Sequence, residues 1–260
     1  MNPTLKVAKS FPNVRFEHAT GYKQSDNVST YAARFYQGRH IAGLIAGKMT
    51  KSNIIGYIGS FPIPEVVRGI NATTLALQKV NPKAQVKVVW DNTWYDPGKE
   101  GAAAKALIDQ GADVIMQHTD SPAAVQAAQE RGVWAVGQAS DMTHFGPKSH
   151  LTAIVDVWDS YYVARAKAVM DGTWKPGDTW DGLKQGMLQM APYNAAIPAD
   201  VLAMAKKAQA DIIAGTLHPF AGPIKDQMGM QKVAAGENLD DGSLLSMNWY
   251  VHGVQGKLPK

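Results

Sequence analysis

Between Asn53 and Val155 short apolar runs alternate with amphipathic segments, about one pair every 25–30 residues, and few folds tolerate that rhythm. The runs 53–59, 85–90, 112–118, 133–137 and 151–155 read as strands. The segments 65–80, 98–111 and 123–131 read as helices, the first entered through Pro62 and Pro64 and the second through Pro97-Gly98. Strands separated by helices of this length must run parallel, in a sheet covered on both faces. An open sheet of this kind binds its ligand outside the carboxyl ends of its strands.

Outside this stretch the pattern is looser. Residues 3–10 read as the tail of a helix, 14–20 as a strand, and 29–49 as one long helix with apolar residues near helical spacing. The small residues of that helix, among them Ala33, Gly38, Gly43 and Gly47, suggest close packing against another element. Beyond Val155, residues 160–171 and 198–214 read as helices and 186–190 as a strand. The segment 171–181, rich in Trp, Gly and Asp, reads as a surface connection, and the remainder as loops.

Composition removes several function classes. The 260 residues contain no Cys, which excludes disulfides, thiolate nucleophiles and Cys-ligated metal centres. The seven His form no recognised ligand spacing, and no GxSxG, GxxxxGK[ST] or GxGxxG occurs. No metal site or cofactor is therefore assigned, and no motif marks a catalytic residue. The net charge of +4 is a small surplus over few charges, with no basic stripe for nucleic acid to follow. No window spans a bilayer, and the first residues lack the pattern of a signal peptide. Taken alone, these features fit a cytoplasmic address.

The strand ends carry the chemistry. Strand 85–90 runs into Asp91-Asn92-Thr93-Trp94-Tyr95-Asp96, strand 112–118 into Thr119-Asp120-Ser121-Pro122, and strand 133–137 into Gln138-Ala139-Ser140-Asp141. Parallel strands place all three polar ends on one rim. An indole beside carboxylates and amides suits a flat, hydrogen-bonding heterocycle, with stacking contributing about 1–3 kcal/mol. Trp94 either stacks on such a ligand or covers a hydrophobic edge. Asp120 either contacts the ligand or caps the helix that follows. Asp96 and Asp141 read as caps, Trp90 as core, and the 11 Met as core filler.

Four strings then resemble the basic membrane protein family: Ser60-Phe61-Pro62-Ile63-Pro64-Glu65-Val66-Val67-Arg68-Gly69-Ile70-Asn71, Asn92-Thr93-Trp94-Tyr95-Asp96-Pro97, Asp109-Gln110-Gly111-Ala112-Asp113-Val114-Ile115 and His118-Thr119-Asp120-Ser121-Pro122. The family comprises solute-binding proteins of ABC transporters, related to purine nucleoside receptors of spirochaetes. The resemblance runs from Met1 to Lys260, includes the closing Leu244-Leu245-Ser246-Met247-Asn248-Trp249-Tyr250, and is greatest with the purine-binding branch.

That resemblance implies a type I periplasmic-binding-protein-like α/β fold, with two parallel-sheet lobes and the ligand in the cleft between them. It implies a ligand-binding role for Trp94, stacked on a purine base such as adenine, and for Asp120, hydrogen-bonded to it. It also implies an ABC transporter permease as partner and a periplasmic address, which reverses the cytoplasmic one. First-lobe material is expected at 1–52 and 155–181, and the second lobe with hinge and C-terminal segment at 53–154 and 182–260. Met1-Asn2-Pro3-Thr4 resembles an internal family segment, so the first lobe is expected to be short of about two or three βα units. A purine nucleoside receptor is the next reading, followed by a cytoplasmic nucleoside-acting α/β enzyme. A regulator would need a DNA-binding headpiece, which these residues do not contain.

Overall fold

The computed structural model describes residues 1–259 and divides them into two units, Met1–Arg34 with Asp156–Gln189 and Phe35–Val155 with Met190–Lys260. The smaller unit carries α1 (Asn2–Ser10), β1 (Phe16–Ala19), β2 (Val28–Ala33), α6 (Asp159–Met170) and β8 (Asp178–Asp181). Its three strands form a parallel sheet in the order β1-β2-β8.

Two expectations fail here. The helix expected over 29–49 is a strand, β2, followed by the helix α2 (Tyr36–Met49). Val28-Ser29-Thr30-Tyr31-Ala32-Ala33 joins β-branched and aromatic residues to small ones, and almost all of it is buried between two parallel neighbours. Pairing on both sides outweighs an apolar spacing that also fits a helix. The segment 171–181 is not merely a surface connection, because its last four residues form β8, held to β2 by a 2.6 Å bond from Thr30 Oγ1 to Asp178. Glu17 organises the interior of this unit. It accepts from Trp174 Nε1 and the Tyr161 hydroxyl, each at 2.7 Å, and from Arg165 Nε.

The larger unit is built around one sheet. Its strands are β3 (Ile54–Gly59), β4 (Gln85–Trp90), β5 (Val114–His118), β6 (Trp134–Ala139), β7 (His150–Asp156), β9 (Leu188–Met190) and β12 (Val254–Gln255), in the order β12-β4-β3-β5-β6-β7-β9. The pairings from β12 to β7 are parallel, as the alternation requires. Helices α4 (Pro97–Asp109) and α5 (Ala123–Glu130) bury Ala104, Leu107 and Val125 against Ile58 and Ile115 on one face. Helix α3 (Pro64–Val80) lies alongside α2, and a methyl group added at Gly43 would fall 2.5 Å from the Thr73 carbonyl oxygen. The small residues of α2 thus serve the close packing expected of them. Because the partner is α3, α2 sits in the larger unit, although sequence placed residues up to 52 with the first lobe. Helix α7 (Ala199–Ala214) follows α2 in packing, and short elements complete the chain: β10 (Ile224–Lys225), β11 (Gln231–Val233) and α8 (Asp241–Leu245).

Arg39 of α2 is fully buried and ties the helix to the sheet. Its Nη2 donates to the Gln117 carbonyl at 2.5 Å and to Gln138 Oε1, and its guanidinium lies over the Phe35 and Tyr57 rings. Among the described residues no helix is long and apolar enough to cross a membrane.

Candidate functional site

The carboxyl ends of β4, β3 and β5 lie side by side, and the last paired row across them is Trp90, Gly59 and His118. Gly59 is required by its neighbour, since a methyl group there would fall 2.6 Å from the Trp90 ring. The chain leaves β4 through Asp91, whose amide donates to the Gly59 carbonyl at 2.9 Å. It turns at Asn92, with φ of +53°, a left-handed conformation that Asn tolerates better than most residues.

That turn sets Trp94 among aromatic neighbours. Its indole is 5.3 Å from the Phe61 ring and 6.3 Å from the His118 ring, and His118 in turn is 5.8 Å from Phe35. Trp94 remains 42% exposed, so an indole face stays available. The main chain joins it to the second candidate directly, because the Asp120 amide donates to the Trp94 carbonyl at 2.9 Å.

A buried carboxylate holds both loops in place. Glu100 of α4 is fully buried, and its two oxygens accept from the Asp96 amide at 2.9 Å and the Ser121 amide at 3.1 Å. One side chain thereby anchors the loop after β4 and the loop after β5. Asp96 caps α4 by accepting from the Lys99 amide at 3.1 Å, and Asp141 accepts from the Thr143 amide at 2.9 Å. Asp96 is thus the cap expected of it, whereas Asp141 bonds within its own turn, one residue ahead of the Met142 cap of the short helix 143–145. Asp120 does not cap α5. Ser121 Oγ accepts from the Ala123 amide instead, at 3.3 Å, and the Asp120 carboxylate, partly covered but open to solvent, has no hydrogen-bond partner among the described residues.

The polar groups around this rim are perturbed by their setting. Burial, and then the Glu100 charge, push Asp120 above the usual carboxylate range. The same two causes, in that order, push Asp91 up to about 6. Burial raises Glu65 as well, opposed by Arg68 and Arg39 and reinforced by Asp120. His118 is pushed well below the ordinary imidazole value, first by burial and then by the Arg39 and Arg68 charges. One row beyond Trp90, Gly59 and His118 come Asp91, Ser60 and Thr119. Asp91 Oδ2, Ser60 Oγ and Thr119 Oγ1 are all buried without a protein partner. Perturbed carboxylates together with unpaired polar atoms mark a functional site more often than a structural one.

Strand-end reasoning found Trp94 and Asp120, and the structure brings them together. It missed Phe61 and His118, which complete the aromatic surroundings, and Glu100, which holds the loops. His118 closes an apolar run just before Thr119-Asp120, and that position was the available signal. A separate cavity of about 450 Å³, lined by Leu75, Pro223, Ile224 and Val251 among others, includes none of these residues. Its lining also carries Gln78, Lys225, Asp226 and His252, and Asp226 is already engaged by the Met228 and Met230 amides and by Lys232. Among the described residues no group of three or more His, Cys, Asp or Glu is placed to hold a metal ion.

Comparison with known proteins bears on what such a site serves. The Bmp family, described as ABC transporter substrate-binding protein PnrA-like, matches residues 2–217. A Brucella abortus (strain 2308) protein named as purine-binding is 58% identical over 260 residues, covering all of this chain and 74% of its own length. A Haloferax volcanii protein, provisionally named as an ABC transporter glucose-binding protein, is 37% identical over 99% of this chain and 63% of its own. Among solved structures, an ABC transporter solute-binding protein of Aeropyrum pernix superposes with a TM-score of 0.70 at 19% identity, over 94% of this chain and 76% of its own. A transcriptional activator of the comK gene from Bacillus halodurans gives 0.72 at 22%, over 82% and 75%. At such identities the likeness shows the fold, the α/β architecture of type I periplasmic binding proteins.

Proposed function

We propose that this chain, which belongs to the Bmp family of PnrA-like ABC transporter substrate-binding proteins, captures a purine base at the rim formed by Trp94 and Asp120 and delivers it to an ABC-type permease. The observation that carries this reading is the bond from the Asp120 amide to the Trp94 carbonyl. It ties the two loops together, so that the exposed indole, tilted against the Phe61 and His118 rings, and the unpartnered carboxylate belong to one rim. The indole offers a stacking face, and the carboxylate accepts from an exocyclic amine or a ring N–H. The purine-binding name of the 58% identical Brucella relative supports the same ligand class. The family is one of solute-binding proteins, so the reading assigns no bond-making step and no catalytic residue. Delivery to a permease places the protein in the periplasm.

The experiment is a ligand panel by thermal shift and titration calorimetry: adenine, hypoxanthine, guanine, adenosine and glucose. Adenine or another purine base is expected to raise the melting temperature, with nucleosides weaker. Asp120→Ala should cost about 1–3 kcal/mol of purine affinity through a lost charge-assisted bond. A response to glucose and to no purine would overturn the reading in favour of the ligand named for the Haloferax relative. A response to adenosine with none to the free bases would move the assignment to nucleosides.

A further inference from the structure

Like Asp91, Ser60 and Thr119 of the same rim, His118 leaves a buried polar atom unsatisfied, and its ring lies 6.3 Å from the Trp94 indole. It closes β5 two residues ahead of Asp120 and is only 5% exposed. Its ring has Phe35 on one side and Trp94 on another. Nδ1 is buried without a partner in the protein, and Nε2 faces Glu65 Oε1 at 3.9 Å, beyond hydrogen-bond reach. Buried polar groups nearly always have a partner, and although His40 of α2 is unpaired too, His118 is the one whose ring lies against the Trp94 indole.

The surroundings decide what this ring can offer. Arg39 from α2, Tyr57 from β3, Glu65 and Arg68 from α3, and Asp120 from the following loop are the titratable or charged groups around it. Burial and the two guanidiniums hold the imidazole neutral, so it has one donor and one acceptor. The guanidiniums themselves donate elsewhere: Arg39 to Gln117 and Gln138, and Arg68 to the Leu244 carbonyl at 2.6 Å. Of the other side chains at the rim, Phe35 and Phe61 have no polar atom, an ionised Asp120 only accepts, and the Ser60 and Thr119 hydroxyls are further unpaired donors. A purine presents ring-nitrogen acceptors as well as N–H donors, so a site with Trp94 and Asp120 alone leaves those acceptors unread. His118 can read them.

We propose that His118 is a specificity-determining ligand contact, a neutral imidazole beside the Trp94 indole that donates a hydrogen bond to one ring nitrogen of the bound base. The proposal rests on the purine reading above and adds to it the group that distinguishes one base from another.

The test titrates adenine and its 1-deaza, 3-deaza and 7-deaza analogues calorimetrically into the parent, His118→Phe, His118→Gln and Trp94→Ala. One deaza analogue is expected to bind the parent at least about tenfold more weakly than adenine, because it lacks the nitrogen that His118 reaches. In His118→Phe that ratio should fall below about threefold, since the nitrogen has lost its partner. His118→Gln keeps a donor and guards against a misfolded Phe variant, with folding checked by melting temperature; a ratio between those of the parent and of His118→Phe is expected. Trp94→Ala should weaken all four ligands and leave their ranking intact. A parent that treats all analogues alike, or a His118→Phe variant that keeps the full discrimination, overturns the proposal and leaves the purine reading standing. A parent that binds no purine base overturns both.

Discussion

Asp91 follows β4 directly and carries a carboxylate oxygen that is buried without a partner, close to Glu100. Its value, pushed up to about 6, has a direct consequence for stability. A carboxyl raised above its unfolded value, near 3.9, contributes stability below that value and loses the contribution as pH rises through about 6. Asp91→Asn removes the ionised form, so it should raise the melting temperature at pH 7.5 and give no gain near pH 4. A variant equally stabilised at both pH values would show that the carboxylate is not the cause. Legibility at this scale follows local chemistry. Trp94 and Asp120 stand out because aromatic and acidic residues in a strand-end loop are unusual company. Glu100 carries no signal of its own in the sequence; only the fold shows that its two oxygens meet the Asp96 and Ser121 amides. His118 is concealed by the apolar run it ends.

The strands and helices from Ile54 to Asp156 fall where period and breakers put them, because parallel strands with helical crossovers leave one pattern compatible with burial on both faces. The misreadings include β2 and β8, which lie in the small parallel sheet, and β12, read as loop but paired with β4 at the edge of the large one. Residues 28–33 carry apolar and small side chains compatible with both periods, and their strand state depends on partners 12 and 148 residues away. Helix α2 shows the opposite case. Its glycines signalled a close contact correctly, and the contact is with α3. Gly43→Ala places a methyl group 2.5 Å from the Thr73 carbonyl oxygen and 3.0 Å from Ala76 Cβ. The two helices must separate to admit it. The expected cost is about 1–3 kcal/mol, despite the roughly 1 kcal/mol by which Ala outranks Gly as a helix former. A denaturant midpoint equal to the parent's would contradict this packing.

At the scale of the whole chain, local pattern reaches an α/β architecture with a parallel sheet, and the family resemblance adds the solute-binding fold and the transport context. Neither reaches the ligand, because choosing among purines turns on a few hydrogen bonds from residues such as Asp120 and His118, whose surroundings are set by the folded sheet edge. The central claim is that the exposed Trp94 indole is the surface on which the base rests. Calorimetric titration of adenine into the parent and into Trp94→Ala at neutral pH tests it most directly. Stacking on this ring contributes about 1–3 kcal/mol, so the substitution should weaken binding by roughly 5- to 150-fold while the melting temperature of the unliganded protein changes little. A Trp94→Ala variant that binds adenine as tightly as the parent would contradict the account.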